Sequence, residues 1–386
     1  MTTQQLLFSL LRAELCDAPI DDAVKSTLTE QTLCAVFELS KKHDLAHIAG
    51  QALSKAGVLG DDEISRKFKA VTKQAVQRYV RMSHACGQIF RVLEQADIPF
   101  IPLKGAVIRK LYPEPWLRTS CDIDVLVHEA DLDRTISVLV SELGYTNEGR
   151  NFHDVLLLDP SGLHVELHFT LLEEDRFHAG HELLEAVWQY TVPVKENSAQ
   201  QQLSDEMFYF YHILHMATHF YYGGCGIRPL LDLWLLNRKV TFDPEKREAL
   251  LKESGLLTFE KAAVKLSEVW LSGDAHTELT AKTEEYILSG GVYGTVSNRT
   301  AVLQSQKGSR AKFLLSRIFL PYGSLKGQFP ILQKHKWLLP FCQVHRWLRL
   351  LRFDRFKQAV QETTGSLTLS REECASADAL LKQLGI

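Results

Sequence analysis

Apolar positions recur at helical spacing from the N-terminus to about residue 96. Leu6, Leu7, Leu10 and Leu11 fall on one helical side, as do Leu33, Val36 and Phe37, with a looser continuation from Leu39 to Leu45. "CGQIFRVLEQAD" (86–97) places Ile89, Val92 and Leu93 together. The pattern then shortens. "IPFIPLKG" (98–105) is apolar and interrupted by proline, which predicts an edge or terminal strand ending at Gly105. "AVIRKLY" predicts a brief helix stopped by Pro113 and Pro115. "RTSCDIDVLV" (118–127) reads as a strand. In "DLDRTISVLVSELGY", Leu132, Ile136, Leu139, Val140 and Leu143 line one helical face and Gly144 terminates it. "FHDVLLLD" and "LHVELHF" flank "PSG", which predicts a β-hairpin over 152–169. From about 203 helices return, most clearly in "DEMFYFYHILHMATHFYY".

This order predicts an α+β fold: a small α/β core with a mixed sheet, flanked by N- and C-terminal helical regions. The expected divisions are a helical region over 1–85, the core over 86–195, a helical domain over 196–300, and a basic, aromatic-rich helical region over 301–386.

One strand breaks the rule that apolar runs exclude charge. Burying a carboxylate is costly unless it is paired or binds a cation, yet Asp122 and Asp124 sit among Ile123, Val125, Leu126 and Val127. Residues two apart on a strand share a face, ~6.5–7 Å apart at the backbone. Asp122, Asp124 and Leu126 therefore point one way, and Cys121, Ile123, Val125 and Val127 point into a core. "LHVELHF" repeats the design, with Val165 and Leu167 on one face and His164, Glu166 and His168 on the other. If the two strands are neighbours, three carboxylates converge. Such a cluster needs cations, and oxygen ligands suit Mg²⁺ or Mn²⁺. Upstream, Lys104-Gly105 ends a strand and opens a helix, a place where free N–H groups favour phosphate. Arg118 stands four residues before Asp122, within reach of a phosphate-bearing substrate.

Composition narrows the setting. At 386 residues the chain suits two or three packed units. Its 44 basic and 47 acidic residues nearly cancel to a net charge of -3, so no whole-chain polyelectrolyte role is implied. The seven cysteines are scattered without a CxxC pair, so no zinc knuckle or disulfide framework is indicated. That usage fits a reducing compartment. The N-terminus lacks the features of a secretory signal, and no uncharged apolar run reaches the ~18 residues of a membrane span. A cytoplasmic location is expected.

"LKGAVIRKLYPEPWLRTSCDIDVLV", with "HVELHF" downstream, resembles a bacterial nucleotidyltransferase-like family of the DNA polymerase β-like superfamily. Its hallmark is LKG, Tyr-Pro, R-x-x-x-D-[IL]-D and a later E-L-H. The R-x-S-x-D-I-D portion, which includes Ser120, is also similar to nucleotidyltransferase toxins of toxin–antitoxin and abortive-infection systems. The strong match covers about 98–170, with softer similarity at 41–53 and 215–236. The resemblance implies that Asp122, Asp124 and Glu166 are catalytic and bind two divalent ions, Mg²⁺ or Mn²⁺. The implied reaction transfers a nucleoside monophosphate from an NTP such as ATP to a hydroxyl-bearing acceptor, a small molecule, peptide, protein or RNA. Lys104, Gly105, Arg118 and Ser120 are the implied substrate-binding residues. Ala106 departs from the superfamily, where a serine commonly follows the glycine. Two alternatives stay open: a non-catalytic pseudo-transferase that binds nucleotide or a partner, and a related phosphotransferase.

Three further stretches carry weaker chemistry. His212, His215 and His219 share a helical face and could ligate a metal, although the aromatic density around them favours packing. "KHD" (42–44) resembles the His-Asp pair of metal phosphohydrolases but lacks partner histidines at suitable spacing, and Cys225 has no evident base beside it. Residues 305–357 hold twelve Lys/Arg against one acid, Asp354, interleaved with aromatics. Covering the acidic remainder of the chain, contacting an anionic membrane surface and binding nucleic acid all fit that composition.

Overall fold

The computed structural model describes residues 1–172, 177–292, 331–351 and 371–386, with scattered positions between 294 and 329. They fall into two units: Met1–Met216 with Ile227–Ala281, and Ala217–Gly226 with Lys282–Ile386.

In the first unit, five helices precede the sheet: α1 (Thr3–Leu15), α2 (Asp22–Lys25), α3 (Glu30–Lys42), α4 (Ala46–Lys55) and α5 (Glu63–Gln95). Their starts are encoded locally. Thr2 and Gln5 form a capping box on α1, Thr29 and Thr32 one on α3, and Asp62 accepts from the Ser65 N–H on α5. The apolar stripe of α1 is fully inside, with Leu6, Leu7, Leu10 and Leu11 buried. α5 is one continuous helix on both sides of residue 85, and Met82, Ala85, Cys86, Ile89 and Leu93 pack into the core under the sheet.

The core follows as β1 (Phe100–Pro102), α6 (Gly105–Ile108), β2 (Asp122–Val127), α7 (Leu132–Leu143), β3 (Thr146–Arg150), β4 (Asp154–Leu158) and β5 (His164–His168). The sheet is mixed, in the order β1-β2-β5-β4-β3. β2 and β5 are parallel, and every other neighbouring pair is antiparallel. One face carries Ile123, Val125, Val127, Val155, Leu157, Val165 and Leu167 into a core closed by α5 and α7. α7 ends at Gly144, whose φ of 70° supplies the left-handed cap.

The expected hairpin over 152–169 forms as β4 and β5. β3 is not foreseen in the sequence, because "TNEGR" is polar and exposed and offers no alternation to read. Cys121, expected inward with Ile123, is instead exposed. Regular alternation begins only with the ladder at Asp122, so the residue before it is not bound by the strand's period.

Beyond the sheet lie α8 (His181–Glu185), the two-stranded β6 (Thr191–Pro193) and β7 (Gln201–Leu203), then α9 (Asp205–Tyr221), α10 (Arg228–Lys239), α11 (Pro244–Glu253), α12 (Leu257–Ser272) and α13 (Glu278–Ser289). The second unit also contains α14 (Leu339–Leu351) and α15 (Arg371–Leu384). Much of 305–357, including Asp354, lies outside the described residues. Among the described residues, no helix is long and apolar enough to cross a membrane.

Candidate active site

The sheet face opposite the core concentrates the polar groups. Asp122 pairs in register with His164, Asp124 with Glu166, and Leu126 with His168. Parallel pairing without offset therefore brings the two acid-bearing strands level, as the alternation in each requires. Asp124, Glu166 and His168 offer ligand atoms within 4.8 Å of one another. Asp122 lies outside that tight group, one same-face step earlier. It is close enough for Asp124 and Glu166 to act on its charge.

Charges around Asp124 are balanced by position. Lys104 Nζ lies 3.2 Å from Asp124 Oδ1, and His168 Nε2 lies 3.1 Å from the same oxygen. Burial alone would raise the Asp124 pKa, but Lys104 and His168 hold it well below the ordinary carboxylate range. Burial opposes charge on Lys104 and His168 as well, and the neighbouring carboxylates raise both above their usual values. Asp122 moves the other way. Burial, then repulsion from Asp124 and Glu166, pushes its pKa up.

Lys104 reaches Asp124 from an unusual backbone. Its φ of 39° is positive for a residue with a Cβ, a conformation that costs of order 1–3 kcal/mol and persists only when the surroundings impose it. The Leu103 N–H donates to the Asp124 carbonyl at 3.1 Å and fixes the approach. Gly105 follows where a Cβ would stand 3.2 Å from Ser120 Oγ. Arg109 stitches this turn to the segment before β2: its Nε donates to the Gly105 carbonyl and its Nη2 to Ser120 Oγ at 3.1 Å.

That segment is clamped at adjacent residues. The Arg118 guanidinium forms a two-pronged pair with Asp232 of α10, with Nε 2.9 Å from Oδ1 and Nη2 2.9 Å from Oδ2. Tyr112 donates to the same Oδ1 at 2.7 Å. Thr119 Oγ1 donates to Asp44 Oδ2 at 3.0 Å, and Asp44 is also bound by Arg228. His47 bonds the Leu117 carbonyl at 2.8 Å. Arg118 and Ser120, read in the sequence as substrate-binding, are thus engaged by Asp232 and Arg109.

His212 uses Nε2 on the Pro229 carbonyl at 2.8 Å, and burial lowers its pKa. Among the described residues the three histidines of α9 do not form a metal-ligand group. Tyr211, on the same helix, is near enough to Lys104 to influence its charge. Cys225 is fully buried and its thiol is pushed up by burial, which suits packing.

Sequence reading missed His168, Arg109, Asp44 and Asp232 as site residues. His168 had a visible signal, since it shares the Glu166 face two positions on. Asp44 and Asp232 bond partners remote in sequence, whereas Arg109 bonds Gly105 and Ser120 nearby through a turn that no side-chain pattern announces.

The donor set fits a hard divalent cation. Carboxylates dominate it, they repel one another, and one imidazole adds a borderline nitrogen that Mn²⁺ tolerates. A family model described as an uncharacterised nucleotidyltransferase matches residues 29–272, well over half of the chain. No curated protein and no solved structure matches the chain. The family match takes in α3 to α5, the whole acidic face and the α10 clamp, and the chain belongs to that uncharacterised nucleotidyltransferase family.

Proposed function

We propose that the protein is a divalent-cation-dependent nucleotidyltransferase of the DNA polymerase β-like superfamily. It moves a nucleoside monophosphate from an NTP to a hydroxyl-bearing acceptor and releases pyrophosphate. The observation that carries this reading is the register: Asp124 stands directly beside Glu166 on neighbouring parallel strands, with Asp122 one same-face step away.

Asp122, Asp124 and Glu166 would hold the cations, with His168 orienting Asp124 through Oδ1. When bound, two such ions neutralise a leaving phosphate and lower the pKa of an attacking hydroxyl. Glu166 is more accessible than Asp124, with side chains 31% and 6% exposed, and it accepts the acceptor's proton. Lys104 carries a fixed positive charge at the edge of the carboxylates and binds triphosphate oxygens, with Gly105 allowing close backbone approach. Ala106 provides no hydroxyl here, so Lys104 takes a larger share of that grip. Arg118 and Ser120 position the segment that feeds β2. The core over 86–195 is the catalytic unit of this scheme.

The test is mass spectrometry of a pool of sugar phosphates, antibiotics, peptides and RNA, incubated with Mg²⁺ and each NTP in turn. Added nucleoside monophosphate mass with pyrophosphate is expected from the wild type. Asp122→Asn and Asp124→Asn are each expected to lose about 100-fold or more of that activity. Added phosphate with nucleoside diphosphate would instead identify a phosphotransferase. Nucleotide binding without metal dependence or turnover would identify a pseudo-transferase.

A further inference from the structure

Among the described residues of the second unit, α14 carries an apolar stripe that stays exposed. α14 packs one side inward: Cys342 joins Leu325 and Leu332 in a small core backed by Leu338 and Leu339. The same side is pinned by polar bonds, with Gln343 Nε2 donating to the Leu320 carbonyl at 2.7 Å and Trp347 Nε1 to the Ile318 carbonyl at 2.9 Å. The other side carries Phe341, Val344 and Leu348, and Trp337 continues it from the turn just before the helix. The four are spaced by four, three and four residues, the period of one helical face. Trp337, Phe341, Val344 and Leu348 are 69%, 66%, 49% and 55% exposed. Trp337 and Phe341 meet edge to face at 6.4 Å, which extends the stripe as one surface.

Charge tells what such a stripe faces. Lys334, His335 and Lys336 are exposed at its N-terminal end and His345 is exposed beside Val344. The surrounding sequence over 305–357 has twelve Lys/Arg and one acid, in a chain whose total is -3. An apolar face of Trp, Phe, Val and Leu with exposed lysines at one end, in a basic stretch of sequence, is the composition of a helix that lies in a bilayer interface. A nucleic acid would meet the cations but gain nothing from Val344 and Leu348.

We propose that α14 and the turn before it dock the protein on an anionic lipid surface. Trp337, Phe341, Val344 and Leu348 enter the headgroup boundary and the lysines meet lipid phosphates. This docking concerns binding alone and stands whether or not the acidic sheet face turns over NTP.

The experiment is co-sedimentation of the full chain with phosphatidylcholine vesicles, with and without phosphatidylglycerol, at low and high salt. Binding is expected only with the anionic lipid, and weaker in salt. Lys334→Gln with Lys336→Gln should weaken it about thirty-fold, from about 1 kcal/mol per lysine at the surface. Phe341→Glu with Leu348→Glu should abolish it while leaving the thermal melting curve unchanged, since both side chains are exposed. Equal binding to neutral vesicles, no binding at all, or binding retained by the Phe341/Leu348 variant would overturn the proposal. Self-association in ultracentrifugation that the same variant abolishes, without vesicle binding, would assign the stripe to a second copy and overturn it too. Oligonucleotide binding without vesicle binding would overturn it in favour of nucleic acid.

Discussion

Asp122 and Asp124 are two residues apart on one strand and have opposite electrostatic fates. Asp124 has Lys104 and His168 against one oxygen, whereas Asp122 meets burial and two like charges, opposed mainly by the Lys104 charge. The folded-state pKa of Asp122 is raised, so its ionised form costs stability at neutral pH, and the cost disappears as it protonates. Asp122→Asn should therefore raise the melting temperature in chelator while losing transfer activity. A lower melting temperature for that variant would contradict the repulsion. Lys104→Met acts in the other direction, because it leaves the buried Asp124 with His168 as its remaining close partner. A loss of about 2 kcal/mol is expected in denaturant melts, below the range for fully buried pairs because Lys104 is a quarter exposed. At this scale the sequence is informative. Alternation alone separates the Asp122, Asp124 and Glu166 face from the Ile123, Val125 and Val165 face. It does not show Lys104 turning back onto Asp124, since that depends on a positive φ for which a lysine gives no sign.

At the scale of elements, the segment between Pro115 and Ser120 is held from two directions, by Asp44 and by Asp232. Removing one partner of a buried pair leaves an uncompensated charge, so Asp232→Ala should cost about 3 kcal/mol or more. Arg118→Met with Asp232→Met should cost less than the sum of the single changes, and a double-mutant cycle measures the difference. Additivity would show that the pair is not coupled. The sequence places Arg118 beside the aspartates, but nothing local indicates a carboxylate 114 residues later. The helices before the sheet add a pH dependence. Burial lowers His43 and His47 from 6.5 to about 4. Unfolded chains would take up these protons first, so stability is present above about pH 6.5 and is lost as pH falls toward 4. Each histidine accounts for up to roughly 3 kcal/mol of that loss. Both ring nitrogens of His43 lack a hydrogen-bond partner. His43→Leu should accordingly flatten the melting temperature between pH 6.5 and 4.5, and an unchanged slope would refute the assignment.

For the whole molecule, the helix–core–helix order is legible because long amphipathic stretches and the hairpin at 152–169 each carry their own period. Two parts are not. β3 is polar and exposed, and joins the sheet through backbone pairing that no side-chain pattern announces. Division into units is also hidden, since each unit takes in two separated stretches of chain and contiguity in sequence says nothing of that. The family match reaches from α3 through α12 and so includes both clamps as well as the acidic face. The proposed transfer requires those carboxylates to share cations. The most direct measurement is calorimetric titration of Mn²⁺ into the full chain with a non-hydrolysable NTP, for the wild type, Asp122→Asn, Asp124→Asn and Glu166→Gln. Saturable binding that each substitution weakens by about ten-fold or more is predicted. Mn²⁺ binding of undiminished strength in all three variants would contradict the account.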